Sequence, residues 1–331
     1  MKRAIFTSIT ALGLTLSSMN TFASNVIRLA HDSQETSPVH KAMLHFEKEL
    51  EARSNGELEV EIYPARQLGD VRETTELVQQ GNLQMTFGAS VLLSPYVPEF
   101  NVLDVFYLFE DEEQAHKALD SDKIGKPLLT SMESKGFHGL GFMEVGFRSI
   151  TNNKQPIESI EDLNSLKIRS ASNPTQISAW KSVGTAPTPL SWGEIFTSLQ
   201  QGLINSQESA VYSIYAERFY EAQEYLSLTN HIYTNYVLFM NKEFWDSLPS
   251  DQQALINEVS QETIAKQREL AAKQNQEVIK ELEAKGMTVN VVPTDVRAQM
   301  KEKMNAAVYQ ELRSKTGEEL FDSVITEIEH L

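Results

Sequence analysis

The stretch LEVEIYPARQLGDVRETTELVQQGNLQMTF, residues 58–87, decides the fold class. Apolar residues alternate with polar ones over residues 58–62, as they do in a half-buried β-strand. Gly69-Asp70 marks the start of a helix whose apolar positions recur at helical spacing, and this helix ends at Gly81. Residues 84–87 then predict another strand. A strand, a helix and a strand in succession are typical of a parallel β-α-β unit.

The pattern continues before and after this unit. Residues 26–30 predict an opening strand and a helix follows Pro38, so the first half reads β-α-β-α-β. Similar alternation resumes at residues 137–142. The strand-rich residues 229–241 predict that the chain returns to the first half. We therefore expect an α/β protein with two lobes, a periplasmic-binding-protein-like fold and a ligand cleft between the lobes.

The predicted boundaries of the two lobes follow from these crossings. Residues 24–145 plus 233–275 form lobe I, and residues 146–232 plus 276–331 form lobe II. Shorter elements are predicted inside lobe II. They are a strand over residues 166–169 and helices over residues 174–183 and 192–201.

The longest predicted element is a helix that begins with Ser250 as N-cap and ends at Gly286. At 1.5 Å per residue it would be roughly 50 Å long, enough to brace both lobes. A dimerising coiled coil is the alternative interpretation. The apolar spacing is irregular and keeps no strict heptad, so we expect a packed spine in a monomer.

The N-terminus indicates the compartment. A basic pair at residues 2–3 precedes an apolar stretch, residues 4–16, and the small-x-small site Thr21-Phe22-Ala23 follows. This is typical of a secretory signal peptide, so residues 1–23 are predicted to be removed and the mature chain to begin near Ser24. Because the stretch is too short to span a bilayer, we expect a soluble protein of the periplasm.

Composition and motifs exclude several classes of function. Removing two positive charges with the signal peptide takes the formal charge from −17 to −19. Nucleic acids and anionic membranes need basic patches, so neither is an expected partner. The chain has no cysteine, no G-x-S-x-G elbow and no H-E-x-x-H motif, and His40 and His45 do not share one helix face. We expect no enzyme, no cofactor and no bound metal.

Two arginines stand where a carboxylate could bind. Arg169 ends a predicted strand, the position at which open α/β sheets bind ligands, and its planar guanidinium can donate two parallel hydrogen bonds. Arg148 follows Gly146-Phe147 at the predicted hinge. On spacing alone, an arginine at a strand end is more often part of a surface ion pair, so both interpretations stay open at this point.

Several longer stretches occur together in one order. They are residues 63–70 (YPARQLGD), 146–148 (GFR), 151–152 (TN), 162–163 (DL), 166–169 (LKIR), 187–194 (PTPLSWGE), 199–202 (LQQG), 207–208 (QE) and 242–249 (KEFWDSLP). In this order the chain resembles the extracytoplasmic solute receptors of tripartite ATP-independent periplasmic (TRAP) transporters over nearly the whole mature sequence. The resemblance implies two α/β lobes, joined by crossing strands and braced by a long helix, that close over a ligand.

The resemblance also implies roles for individual residues. Arg169 is the main clamp on the ligand carboxylate and Arg148 assists it. Trp192 stands where relatives place an aromatic wall beside the ligand, although a core tryptophan is the alternative. Asp32, Gln67 and Asp70 lie in first-lobe loops that can contact the other end of the ligand; by default such residues start helices or form turns.

The sequence departs from the family pattern at Ser209. Many relatives read Gln-Glu-Asn-Pro where this chain has Gln207-Glu208-Ser209-Ala210, and the asparagine helps to hold the carboxylate. A serine is shorter and offers one hydroxyl in place of an amide. This implies a more deeply seated ligand, a bridging water or a different substituent beside the carboxylate.

Taken together, the residues and the resemblance imply a TRAP receptor for a small carboxylate, with the membrane permease subunits as partner. The acceptors Asp32, Gln67 and Asp70 suit hydroxyl donors, so a sugar acid such as a uronate or an aldonate is favoured. A C4-dicarboxylate is the alternative if the two arginines bind different carboxylates. A sensory role through the same site, and more remotely an enzyme acting on uronates, are the other functions considered.

Overall fold

The computed structural model describes residues 25–164 and 166–331, so the predicted signal peptide lies outside the described residues. The strands are β1 (Asn25–Ala30), β2 (Leu58–Tyr63), β3 (Met85–Ala89), β4 (Phe137–Asn152), β5 (Arg169–Ser170), β6 (Thr188–Pro189), β7 (Ser206–Ala210), β8 (Tyr225–Leu228), β9 (Tyr233–Asn241) and β10 (Thr288–Val291). The helices are α1 (Pro38–Arg53), α2 (Val71–Gln79), α3 (Ser90–Leu93), α4 (Glu112–Leu119), α5 (Gly125–Ser131), α6 (Pro174–Ser182), α7 (Ile195–Gln200), α8 (Val211–Ala216), α9 (Lys242–Ser247), α10 (Ser250–Ala284), α11 (Thr294–Thr316) and α12 (Glu318–Glu329).

Within the described residues, eight strands form one mixed sheet in the order β10-β8-β4-β9-β3-β1-β2, with β7 paired to β4 outside this path. β1 is parallel to both β2 and β3, which confirms the predicted β-α-β-α-β unit. Every residue of β3 is buried. This is the pattern of a central strand that is covered on both faces of its sheet.

The long strand β4 joins the two halves of the sheet. Its residues 137–147 pair antiparallel with β9, whereas residues 148–152 pair with β7 and, in part, with β8. The pairing with β9 shifts register between Gly139 and Gly141 and again between Glu144 and Gly146. β9 also pairs with β3, which confirms that the chain returns to the first half after residue 229.

The buried apolar side chains of the described residues fall into three clusters. One packs β1, β2 and α1 against the first part of α10, and another packs α7, α8 and β8 against its last part. The largest cluster contains Val78, Phe142, Trp180 and Met304. Because these four residues come from both predicted lobes, the lobe boundaries stay a prediction.

The bracing helix is α10, which packs against α1, β4 and α8. Its 35 residues correspond to about 52 Å at 1.5 Å per residue. Ser250, the predicted N-cap, is instead the first helical residue, and Pro249 is the N-cap. Proline is tolerated at this position because an N-cap residue does not need a backbone N–H donor. Gly286 follows the helix with φ 101°, as predicted for a terminator. No helix of the described chain is long and apolar enough to cross a membrane.

Polar side chains of α10 bind the backbone of β4 at its register shifts. Gln261 Nε2 donates to the carbonyl of Leu140 at 2.7 Å, between the two glycines of the first shift. Gln267 bonds both backbone groups of Glu144: its Oε1 accepts from the N–H and its Nε2 donates to the carbonyl, each at 2.8 Å. Gln261 and Gln267 therefore satisfy backbone groups of the crossing strand β4.

Elements of the second half are shorter than predicted. The strand predicted over residues 166–169 is reduced to β5, with one bridge from Ile168 to Ser206. The helix predicted over residues 192–201 begins as a 3₁₀ turn, which Ser191 and Glu194 cap with a capping box, and continues as α7. The helix predicted over residues 174–183 is α6.

Replacing Gln267 with alanine should destabilise the fold. The substitution leaves the buried N–H and carbonyl of Glu144 without their partner, and each unpaired group costs about 1–3 kcal/mol. We expect the free energy of unfolding to fall by at least about 2 kcal/mol in urea titrations without ligand. Lys273→Ala, an exposed change on the same helix, should stay within about 0.5 kcal/mol of the parent. Equal unfolding midpoints for the parent and Gln267→Ala would contradict the bracing role.

Candidate ligand-binding site

One large cavity lies where β4, β7 and β9 meet the loops that follow β1 and β5. It contains about 1270 Å³ of empty space, including its opening to solvent. Apolar side chains form much of its wall. Its ionisable and aromatic polar lining residues are Asp32, Asp104, Glu144, Arg148, Arg169, Trp192, Glu208, Tyr212, Glu217, Tyr233 and Tyr236.

Arg169, in β5, brings a buried positive charge to this cavity, and only 4% of the residue is exposed. Its Nε and Nη2 both donate to the carbonyl of Leu190, at 3.0 and 2.8 Å. A guanidinium has five N–H donors, so three remain, and the described residues provide no hydrogen-bond partner for them. Burial lowers the pKa of Arg169 to about 10, although the charge of Glu208 opposes this effect, so the side chain stays protonated at neutral pH.

Trp192 stands beside this guanidinium. The guanidinium carbon of Arg169 lies 5.7 Å from the centre of the Trp192 ring, within range of a cation–π interaction. The indole is partly buried, and its Nε1 donates to Glu217 Oε1 at 3.2 Å. Trp192 therefore lines the cavity and contacts both the guanidinium of Arg169 and the carboxylate of Glu217.

Arg148, in β4, is occupied by a protein carboxylate. Its Nε donates to Glu208 Oε2 at 2.5 Å, and its Nη2 donates to Glu208 Oε1 at 2.9 Å and to the Glu208 carbonyl at 2.5 Å. The two side chains are 14% and 4% exposed. Arg148 thus forms an ion pair with Glu208, whereas Arg169 forms none with the part of the chain that the structure describes.

His231 completes this network on the other side of Glu208. Its Nε2 lies 3.1 Å from Glu208 Oε2, and its Nδ1 lies 2.8 Å from Thr229 Oγ1. Burial alone would raise the pKa of Glu208, but the charge of Arg148 and the hydrogen bonds from His231 and Arg148 lower it to about 2. Glu208 is therefore a carboxylate that orients Arg148.

A second group of charges lies around the loop that follows β1. Asp32 lines the cavity, and Ser33 Oγ donates to its Oδ1 at 3.4 Å. Burial raises the pKa of Asp32 to about 6; the charge of Arg66 lowers it in part, whereas that of Glu217 adds to the rise. Asp32 and Glu217 thus present two interacting carboxyl groups to the cavity.

Asp104 is a buried carboxyl in a further part of the wall. It ends the 3₁₀ helix Pro98–Asp104, and its Oδ2 accepts from Asn173 Nδ2 at 3.5 Å. Burial raises the pKa of Asp104 to about 8, and the charge of Lys315 offsets only part of this effect. The side chain is therefore mainly a neutral carboxylic acid at pH 7.

The structure brings Asp32, Arg148, Arg169 and Trp192 together in the cavity, but not the other three predicted residues. Ser209 alternates with Glu208 along β7, so its side chain points away from the cavity, where its Oγ donates to Gln207 Oε1 at 2.8 Å. Asp70 caps α2 through a capping box with Glu73. Gln67 is exposed. None of the three is among the residues that line the cavity, and their predicted contacts with the ligand stay a prediction.

Sequence reasoning misses Glu208, Glu217 and Asp104. Glu208 belongs to one of the recognised stretches, but its pairing with Arg148 depends on the alignment of β7 beside β4, which no local pattern reports. Glu217 follows α8 with no motif around it. Asp104 lies in an apolar run, residues 102–106, where an isolated acid is the available signal of a special environment.

Known proteins share this architecture. Residues 29–315 match the model of the family described as "Bacterial extracellular solute-binding protein, family 7". The chain is 33% identical over 288 residues to the 2,3-diketo-L-gulonate-binding periplasmic protein YiaO of Escherichia coli, with 87% of each chain covered. It is 29% identical over 317 residues to the C4-dicarboxylate-binding periplasmic protein DctP of Rhodobacter capsulatus, which covers 95% of this chain and 94% of the relative.

A solved structure is also similar to this chain over nearly its whole length. The crystal structure of the sugar acid binding protein DctPAm from Advenella mimigardefordensis, in complex with galactonate, superposes with a TM-score of 0.88 at 30% sequence identity. The superposition covers 93% of this chain and 98% of that one. The two-lobed α/β fold is therefore shared over nearly the full length of both proteins.

Asp104 should make stability depend on pH. In the folded protein its carboxyl holds a proton up to about pH 8, whereas in an unfolded chain an aspartate loses it near pH 4. Because the folded state binds more protons over this interval, the free energy of unfolding should fall as pH rises from about 4 to about 8, by at most ~1.4 kcal/mol per pH unit.

Asp104→Asn removes this contribution, so the variant should lose less stability than the parent over the same interval. Above about pH 8 the difference between the two should be constant. Urea unfolding without ligand at pH 5, 6.5, 8 and 9 measures it. The control is Asp122→Asn, whose parent side chain is 88% exposed and which should follow the parent. Parallel curves for the parent and Asp104→Asn would show that the carboxyl is not neutral in the fold.

Proposed function

We propose a ligand class for this chain, which belongs to the bacterial extracellular solute-binding proteins of family 7 and is a receptor of the TRAP type: a sugar acid with one carboxylate, such as a uronate or an aldonate. Members of the family are receptors for small organic acids and not enzymes. The periplasm as compartment and the TRAP permease subunits as membrane partner belong to the same proposal, and the family supports both.

The observation that carries the proposal is the unbalanced charge of Arg169. Its guanidinium is buried in the cavity and retains three N–H donors without a protein partner among the described residues. A buried charge is costly unless it is paired and hydrogen-bonded. A ligand carboxylate supplies both the opposite charge and the acceptors, in the two-bond geometry that a guanidinium favours.

The rest of the cavity favours a single carboxylate. The fork of Arg148 is bound to Glu208, so this arginine offers little positive charge to a second carboxylate. Asp32 and Glu217 would repel one. Both are good acceptors for hydroxyl donors, however, and a sugar acid carries several hydroxyls. This charge pattern supports a sugar acid over the C4-dicarboxylate alternative.

The names of relatives fit the same preference without deciding it. One relative is named for 2,3-diketo-L-gulonate and a solved structure holds galactonate. Another relative is named for C4-dicarboxylates, at 29% identity. The choice between the two ligand classes therefore depends on the charges in this cavity and on direct measurement.

Arg169→Lys should weaken binding of the ligand strongly. The substitution keeps the positive charge but loses the planar fork, and a hydrogen bond to a charged group contributes about 1.5–3 kcal/mol. Losing one such bond corresponds to roughly 10- to 150-fold in Kd. Calorimetric titration with D-glucuronate, D-galactonate and succinate measures the effect, and Arg169→Ala should bind still more weakly.

The matched control is Arg28→Lys, because Arg28 is an exposed arginine whose Nε donates to Gln84 at 3.0 Å, in β1 and outside the cavity lining. It should bind like the parent. Circular dichroism establishes that each variant is folded. Parental affinity in Arg169→Lys would refute the clamp, and tighter binding of succinate than of either sugar acid would favour the C4-dicarboxylate alternative.

A further inference from the structure

Arg66, in the loop between β2 and α2, is held beside Asp32 by backbone hydrogen bonds. Its N–H donates to the carbonyl of His31, and the N–H of Ala65 donates to the carbonyl of Ser33, both at 3.1 Å. These two bonds flank Asp32 on either side. Ala65 and Arg66 have φ values of 51° and 66°, in the left-handed region that side chains other than glycine seldom adopt. The loop is thus fixed in an unfavourable conformation next to a residue of the cavity.

The Arg66 side chain lies beside Glu217, another residue of the cavity wall. Its Nη1 lies 3.9 Å from Glu217 Oε1. Its Cδ and Nε lie so close to Gly193 that a Cβ on that glycine would be 3.8 Å away from each. Glu217 is held in turn by Trp192 Nε1. A single cation from the β2–α2 loop therefore lies near Gly193, which follows Trp192, and near Glu217, which follows α8.

This placement has an electrostatic consequence. Asp32 and Glu217 both line the cavity, and the charge of Glu217 raises the pKa of Asp32. Arg66 is the cation that acts on Asp32 against burial and against Glu217. Its Nη1 is buried and has no hydrogen-bond partner in the described part of the chain. The Arg66 guanidinium therefore acts on the two carboxyl groups through its charge and position, and within the described residues it donates no hydrogen bond to either.

We propose that Arg66 is a positioning and specificity-determining residue, which holds Asp32 and Glu217 as a pair of acceptors for the ligand hydroxyls. The inference rests on the proposed sugar-acid function and deepens it. It names the residues that select hydroxyl groups of the ligand. Arg66 itself is not among the residues that line the cavity, so its effect on binding passes through the two acids.

A double-mutant cycle tests the coupling. Arg66→Met, Glu217→Gln and the double variant are titrated calorimetrically with D-glucuronate and D-galactonate. We expect Arg66→Met to weaken binding at least about tenfold, since it affects hydrogen bonds to charged acceptors. The double variant should be within about threefold of Arg66→Met alone, because residues that act as one unit are not additive. Fully additive losses would show that the two residues act separately and would overturn the pairing.

Two further variants separate positioning from a general loss of structure. Arg66→Lys keeps the charge beside Asp32 and should recover most of the affinity that Arg66→Met loses. Arg72→Met removes a nearby arginine whose side chain is 78% exposed and paired with Glu76, and it should leave affinity unchanged. If Arg66→Lys is as weak as Arg66→Met although both have the parent's melting temperature, the charge is not what Arg66 contributes and the inference fails.

The outcomes also distinguish this inference from the proposed function. If Arg169→Lys weakens binding of a sugar acid while Arg66→Met binds it like the parent, the ligand class stands and the role of Arg66 is refuted. If the parent binds succinate in preference to both sugar acids, the ligand class fails and the role of Arg66 in hydroxyl recognition fails with it.

Discussion

The site depends on one buried positive charge, that of Arg169, which forms no ion pair with the described residues. Arg169 donates two of its N–H groups to a single backbone carbonyl. Its other N–H groups remain for a ligand in the cavity, although little of the residue is exposed to solvent. Holding a desolvated guanidinium in this way is costly. An anionic ligand removes the cost, so part of the binding energy is the relief of an unfavourable state built into the fold. The chain as a whole carries a formal charge of −17 and repels anions at long range, so this local charge has to dominate.

The surrounding charges keep that single cation distinct. Arg148 lies in the same cavity but is neutralised by Glu208, which His231 holds from the other side. Asp32 and Glu217 add acceptors at another place, with Arg66 between them. Among the described residues, the cavity wall therefore contains one unpaired cation, one ion pair and the further carboxyl groups of Asp32 and Glu217. Such an arrangement orients a ligand with one carboxylate and many hydroxyls more strictly than a ring of arginines would.

The sequence predicts what depends on local pattern and misses what depends on register. Periodicity is enough to predict the β-α-β-α-β unit and α10, and family motifs single out Arg169 and Trp192. Arg148 lines the cavity as predicted, but no local pattern shows that Glu208, 60 residues away, pairs with it through the alignment of β4 and β7. Ser209 fails as a cavity residue because adjacent strand residues face opposite sides. Asp70 keeps the default role of its residue type, a helix cap.

The position of Trp192 gives the molecule an intrinsic optical reporter. The chain contains three tryptophans. Trp180 is fully buried against Phe106 and His231, and Trp245 stacks on His138, so neither belongs to the cavity wall. Trp192 alone of the three lines the cavity, with a cation over its ring and a carboxylate on its indole nitrogen. A ligand that binds beside Trp192 and moves the guanidinium of Arg169 or the carboxylate of Glu217 should change the fluorescence emission of this tryptophan. Ligand binding can therefore be followed in the unlabelled protein.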